Sequence, residues 1–570
     1  MSFLKKHKLL FLALLLALTL RTIFLDRFPT GITNDELHFV LNSKSVFYRF
    51  TNMAGNWFPL SLSPIPSEIS SELTFLLTAP VIGPFPTNLF FARLPFVLFS
   101  LGSIILLYFI VLKLSTPLLA STTAFVTALN PYSIFVARTS FDAPVASFFF
   151  LLALFLILYL KKNLFLIIVP LMLAFYTYIG TKVIWLPFVY LISYISYLQF
   201  KPRLRQLVYL VLTSTVFFLI WSVNTLSSST RTSELWSPLS PIITTQVQLE
   251  HDQSLQNPLK PLLTNNLTVF VREFSAKYLN NFSPDILFIT GDHTFLVSLW
   301  KHGYFYLIDF ILILFGTIFL YQHHRNLFYL SLGAITLSPI PEAIRHDSIP
   351  AYAFHSVLQY PYFYVIIGAG ILFATSSFRK KFLSILFTLI YLLSFANFAD
   401  FYFFKYPVYQ PEGFAMSRRL VARYLALESA TGRKITVLTR EPDSLFRNYL
   451  FYNQLYTQLS FNTVKSIYAQ SRSHIVFNKI TFSSDDRNYQ PSTTETLVVD
   501  RTLTEHNFYP SKFSINHLGD AHELYSIFNG QTCQGLTLDP FSHNLNYLDL
   551  SIEKLPASQF CRKFISLTFN

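Results

Sequence analysis

Along the first 400 positions, apolar and polar residues are sorted into long blocks. Mostly apolar runs cover about 9–25, 88–112, 117–136, 144–160, 163–179, 183–199, 206–226, 304–321, 326–340, 356–375 and 382–400. The hydrocarbon core of a bilayer takes about 20 apolar residues of helix, so these runs predict about eleven transmembrane helices. The stretch LTFLLTAPVIGPF at 73–85 is also apolar, but it is short and broken by Pro80, Gly83 and Pro84. That predicts an interfacial or re-entrant segment. After residue 400 the pattern changes. EGFAMSRRLVARYLALE at 412–428 has the period of an amphipathic helix, and KITVLT and TLVVD read as short strands. The expected architecture is an α-helical polytopic membrane domain over 1–400 and a soluble α/β domain over 401–570. Outer loops at 26–87 and 227–303 interrupt the first part. No internal repeat or low-complexity segment is visible.

Charge orients these blocks. One set of connectors holds Lys5, Lys6, Lys8, Lys113, Lys161, Lys162, Lys201, Arg203, Arg205, Arg325, Arg379, Lys380 and Lys381. The alternate set holds Asp35, Glu36, Asp142, Glu234, Asp252, Asp285, Asp292, Glu342 and Asp347. Cationic loops stay in the cytoplasm, so the N-terminus is expected there. The acids and everything after 400 are expected on the outer face. The opening MSFLKKHKLLFLALLLALTL resembles a signal peptide, but no small-residue cleavage site follows, and it is read as a retained first helix.

Composition agrees with a multi-pass membrane protein: 52% of residues are hydrophobic, 17% aromatic and only 13% charged, with a mean hydropathy of +0.43. The net charge of +13 does not point to nucleic acid, because much of it sits in the inner connectors. Cys533 and Cys561, the two cysteines, have no metal-type spacing. A disulfide between them is open to the chain if that region lies outside the cytoplasm.

Several outward helix ends carry charge: Asp35, Glu36 and His38; Arg93; Arg138 and Asp142; Lys182; Asp285, Asp292 and His293; Glu342, Arg345, His346, Asp347 and His355. Charge at a membrane border is costly unless paired or hydrated, and it often marks function. If these loops converge, carboxylates there can take a proton or hold a divalent ion, and cations can bind a phosphate headgroup. Plainer readings stand beside this one. Asp35 and Glu36 suit a helix N-terminus next to Asn34. Arg138 and Asp142 are spaced as a helix-surface pair, Lys182 as a snorkelling lysine, and the nearby tyrosines as an aromatic belt.

The ordered set of motifs resembles the polyprenyl-phosphate-dependent glycosyltransferases of the GT-C superfamily. The nearest group is the family 39 type, which includes protein O-mannosyltransferases and the aminoarabinose lipid A transferase. The matching stretches are NDEL after the first span, FARLPFVLFSLGSI, LNPYSIFVARTSFDAP, FSPDILFITGDHT with HGYFYLIDFILILFG, and a Pro-rich outer loop before YPYFYVIIGAGILFA. Together they cover about residues 1–400. The resemblance implies sugar transfer from a polyprenyl-phosphate donor to an acceptor on the outer face. It implies Asp35 as the catalytic acid/base, with Glu36 as its pair. It further implies Arg138, Asp142, Lys182, Arg345, His346 and His355 as substrate contacts, and a divalent cation such as Mg2+ or Mn2+ held by Asp35 and Asp142. One departure is Tyr352-Ala353-Phe354-His355, where relatives often carry a His-x-x-Arg-like pattern. There His355 replaces an arginine, or Arg345 and His346 supply the charge instead. A transporter or flippase of lipid-linked sugars is the alternative. It would show broken helices in paired half-repeats near mid-membrane, whereas the polar residues here gather on one side.

Overall fold

The computed structural model describes residues 6–56, 72–160, 163–200, 204–228, 238, 240–292, 294, 298–345, 351–377, 381–484, 489, 492–503, 512–538 and 545–567. In chain order its helices are α1 (Lys8–Thr22), α2 (Asn34–Arg49), α3 (Glu72–Ile82), α4 (Leu89–Leu114), α5 (Pro117–Leu129), α6 (Pro131–Ala137), α7 (Asp142–Tyr159), α8 (Ile168–Thr177), α9 (Thr181–Gln199) and α10 (Leu204–Ser228). They continue as α11 (Pro241–Asp252), α12 (Asn266–Asn280), α13 (Leu307–His323), α14 (Arg325–Leu337), α15 (Tyr360–Ser377), α16 (Lys381–Asp400), α17 (Met416–Ser429), α18 (Pro442–Tyr452), α19 (Phe461–Gln470) and α20 (Ala557–Phe564).

Every predicted apolar run contains helix, but not all runs are full-length. Among the described residues, six helical segments are long and apolar enough to cross a membrane: Leu89–Leu114, Asp142–Tyr159, Thr181–Gln199, Leu204–Val223, Val357–Thr375 and Ile385–Tyr409. Leu73–Ile82, Pro117–Leu129, Leu164–Thr177 and Leu307–His323 are apolar but shorter. The local causes are legible. The run 117–136 breaks because Asn130 ends α5 and caps α6, its side chain accepting the Ser133 N–H at 3.0 Å. Pro131 then opens α6, where its missing N–H does no harm. The run 163–179 starts as a 3-10 turn behind Asn163, which has a left-handed φ of 58°. Helices α13 and α15 approach most closely through glycine. A Cβ on Gly316 would stand 1.9 Å from the Ile366 carbonyl oxygen, and one on Gly370 would stand 2.1 Å from that of Leu312. Small residues allow this backbone contact.

After α16 the chain builds a seven-stranded mixed sheet from β1 (Lys434–Leu438), β2 (His474–Phe477), β3 (Ile480–Ser483), β4 (Glu495–Asp500), β5 (Phe513–Asn516), β6 (Glu523–Phe528) and β7 (Ser566–Leu567). The order is β2-β3-β1-β4-β6-β5-β7. β1 runs parallel to β3 and β4, and the other neighbours are antiparallel. Both predicted strands, β1 and β4, and the amphipathic helix, α17, are present. Cys533 and Cys561 form a disulfide that joins the chain after β6 to α20. The apolar core of this unit also takes in Phe28, Ile32, Leu37, Val40 and Leu41. The segment that follows α1 is therefore packed into the C-terminal unit.

Candidate functional site

The acid pair sits at the start of α2, and the sequence there explains why the helix begins where it does. Thr33 and Glu36 form a capping box. Thr33 Oγ1 accepts the Glu36 N–H at 3.2 Å, and Glu36 Oε2 accepts the Thr33 N–H at 2.9 Å. Glu36 Oε1 accepts the Ser140 N–H, at the entry to α7, at 2.7 Å. Glu36 is fully buried, and burial pushes its carboxyl up while Arg93 and these N–H groups draw it back. One oxygen thus closes the cap of α2 and the other braces α2 against the α6–α7 corner. Asp35, one residue earlier in the same first turn, is exposed.

The turn between α1 and α2 is held by arginines from three separate elements. Arg93 of α4 donates to the carbonyls of Leu25, Pro29 and Gly31 at 3.1, 3.0 and 2.5 Å. Arg138, which ends α6, donates to Leu20, Phe24 and Phe28 at 3.0, 3.2 and 3.0 Å, with its guanidinium over the rings of Tyr402 and Phe403. Arg419 of α17 donates to the Thr30 carbonyl and pairs with Glu553 at 2.6 Å. All three are buried. A polar backbone turn inside an apolar bundle needs such donors, and arginine supplies several in a fixed fork. Arg138 thus faces the carbonyls of the protein's own chain.

Other predicted residues do converge around the loop before α15. Burial, and then the carboxylates of Asp35, Asp292 and Asp142, push the Tyr352 phenol well above its usual value, while Arg345 draws it back. The His355 ring meets that of Tyr352 at 4.9 Å and stacks on Tyr178 at 6.2 Å. His355 Nδ1 contacts Glu342, and Arg345 reaches the His355 ring at 3.1 Å. Asp142 begins α7, where a helix N-terminus favours an acid. Asp292 accepts from Thr294 Oγ1 at 2.6 Å and from the Tyr304 hydroxyl. The Lys182 ammonium lies over the rings of Phe175, Tyr176 and Trp221, at 5.2, 5.8 and 5.9 Å. His346, with His293 and Asp347, lies outside the described residues. Glu342 belongs to the cluster with the other outward charges, and Tyr352 and Tyr178 join it; Tyr178 reads along the chain as a membrane-belt aromatic.

Beside Asn34, at the start of α2, is a cavity of about 390 Å³ whose wall also includes Arg440, Asp443, Arg447 and Arg472. Asn34 joins the two parts of the chain there. Its Oδ1 accepts from Arg418 at 2.8 Å, and its Nδ2 donates to Glu441 at 3.1 Å. Burial, with Arg447 and Arg472 nearby, pushes His38 down to about 3, so the ring is neutral. The Asn42 amide, 3.2 Å away, donates to it.

No family model matches the sequence, and no curated protein matches it either. Solved structures do. ArnT from Cupriavidus metallidurans bound to undecaprenyl phosphate is 14% identical, over 80% of this chain and 76% of that one, at a TM-score of 0.39. The apo state of the same protein is 12% identical over 90% and 96%, with a TM-score of 0.44. The Archaeoglobus fulgidus oligosaccharyltransferase in the apo form is 12% identical over 93% and 75%, with a TM-score of 0.45. These are likenesses of outline, and no residue role is taken from them.

Asp35 and Asp142 offer the oxygen ligands that Mg2+ or Mn2+ takes. Among the described residues, however, no third His, Cys, Asp or Glu converges with them into a ligand group.

Proposed function

We propose that the chain is a membrane glycosyltransferase. It moves a sugar from a polyprenyl-phosphate donor to an acceptor hydroxyl at the outer face, with Asp35 as the general base. The supporting observation is the split within the acid pair. Glu36 is buried with both oxygens engaged, whereas Asp35 is exposed and acts, with Asp142 and Arg345, on one phenol. The ordered sequence motifs support the same reading.

In this mechanism Asp35 accepts the proton of the acceptor hydroxyl as that oxygen bonds to the anomeric carbon. The bond from that carbon to the phosphate oxygen breaks, and polyprenyl phosphate leaves with the electron pair. Arg345, beside His355, stabilises the charge that develops on the leaving phosphate. One displacement inverts the anomeric configuration. The donor's polyprenyl chain stays in lipid, and the acceptor approaches from the cavity beside Asn34. No step is routed through a metal. Asp142 shapes the field at the phenol.

The test uses purified protein in lipid vesicles with labelled polyprenyl-phosphate sugars. Asp35→Asn is expected to abolish covalent transfer without changing thermal unfolding. Full transfer by that variant would remove Asp35 from the role. Movement of intact lipid-linked sugar across the bilayer, with no covalent product, would favour a flippase.

A further inference from the structure

The tip of the β5–β6 hairpin carries the sequence His517-Leu-Gly-Asp520-Ala-His522. The strands run antiparallel as far as the Asn516–Glu523 pair, and the His517 N–H donates to the His522 carbonyl at 2.8 Å. That bond sets the two histidines directly opposite each other. Their rings lie 5.0 Å apart with planes 23° from parallel. Asp520 reaches back between them: its Oδ1 is 2.7 Å from His517 Nδ1 and 2.5 Å from His522 Nδ1. Ala521, at a left-handed φ of 65°, makes the reversal.

The hydrogen bonding at this tip is informative. The N–H groups of Gly519 and Asp520 point at His517 Nδ1 from 3.2 and 3.3 Å. A nitrogen that accepts them presents a lone pair, yet the same nitrogen faces a carboxylate oxygen at 2.7 Å. That separation is bridged either by a hydrogen on Nδ1, in the tautomer that donates to Asp520, or by a metal ion held between nitrogen and oxygen. Three ligand atoms, two imidazole nitrogens and one oxygen, lie within 4.8 Å of one another, and among the described residues no other His, Cys, Asp and Glu group does this. Asp520 and His522 are more than half exposed, so an ion can enter and keep a water in its remaining position.

We infer that His517, Asp520 and His522 form a binding site for a divalent transition ion, Zn2+ by preference. Two imidazoles and a carboxylate suit Zn2+ and its first-row neighbours, whereas Mg2+ and Ca2+ prefer all-oxygen sets. The position suggests a bracing role. A Cβ on Gly519 would stand 3.0 Å from the Val408 carbonyl oxygen, so the hairpin tip rests where the last apolar helix enters the C-terminal unit. An ion there would fix the hairpin at that junction.

The inference is independent of the transfer reaction and is tested on the full chain in detergent, stripped with chelator and titrated with Zn2+ alone. The wild type is expected to hold one Zn2+ more than His522→Ala. Zn2+ binding at the site should weaken at least about tenfold in that variant and in Asp520→Asn, which is milder for folding. Zn2+ should raise the unfolding temperature of the wild type but not of either variant. Co2+ should give tetrahedral absorption bands that only the wild type shows, and excess Mg2+ should not displace Zn2+. Asp35→Asn should bind the same Zn2+ as wild type even though it loses transfer. Equal Zn2+ stoichiometry and affinity in wild type and both variants would overturn the site.

Discussion

Adjacent acids with opposite surroundings make a sharp experiment: Asp35→Asn against Glu36→Gln. Glutamine at 36 keeps one oxygen, which can accept from Thr33 or from Ser140 but no longer from both. Its NH2 group then faces the remaining N–H with no acceptor. An orphaned buried donor costs roughly 1–3 kcal/mol. With the charge opposite Arg93 also gone, a total of roughly 2–4 kcal/mol follows from the same range. At about 2 cal/mol/K of unfolding entropy per residue, the 570-residue chain should unfold about 2–3 °C lower. Asp35→Asn changes an exposed side chain and should shift stability by no more than about 0.5 kcal/mol. Its transfer rate should fall by roughly 10²–10⁴, the usual worth of a general base. The assay pairs thermal unfolding in detergent with sugar transfer per folded molecule. A Glu36→Gln protein as stable as wild type but as inactive as Asp35→Asn would refute the division of labour.

Other consequences are open to the same preparation. Arg138→Lys keeps at most one of three carbonyl contacts, so it should lower the unfolding temperature, by roughly 2 kcal/mol of stability, and leave the donor KM of the folded fraction unchanged. Arg345→Ala should raise the donor KM about 10- to 100-fold, because a hydrogen bond to a charged group is worth about 1.5–3 kcal/mol. His38 is held near 3 when folded, against 6.5 when exposed. Its contribution is therefore complete above 6.5 and is lost as pH falls toward 3, at up to about 1.4 kcal/mol per pH unit. His38→Gln should flatten that part of the pH–stability curve. Reducing the Cys533–Cys561 bridge, whose cysteines are 28 residues apart, should destabilise the C-terminal unit by about 3–4 kcal/mol, read as earlier proteolysis within 401–570.

Much of this organisation can be read along the chain, and the exceptions have physical causes. Long apolar runs show where helices form, but they do not show where Asn130 and Pro131 divide one. Asp35, Asp142, Asp292, Glu342 and His355, far apart along the chain, lie together around Tyr352, because charge in so apolar a chain is costly unless it is grouped or paired. Arg138 is different. A cation at a membrane edge looks the same whether it faces a phosphate or three carbonyls, and the carbonyls lie more than 100 residues away. The role of Glu36 did have a local signal. Thr33 followed three residues later by a glutamate is the signature of a capping box. The third bond of Glu36, from Ser140, had no such signal.

The seam around residues 30–34 also bears on the order in which the protein is made. A Cβ on Gly31 would stand 2.1 Å from the Phe414 carbonyl oxygen. Thr30 receives Arg419 from 389 residues further on, and Asn34 receives Arg418 from 384 further on. The stretch bearing Asp35 therefore leaves the ribosome long before the groups that seat it, which are synthesised after the last apolar helix. Until then the turn has Arg93 and Arg138 but lacks the third of its arginines, Arg419. Contacts so distant in sequence form late. Asp35 is thus made early and seated late: the turn that carries it is complete only once the C-terminal unit has packed against it.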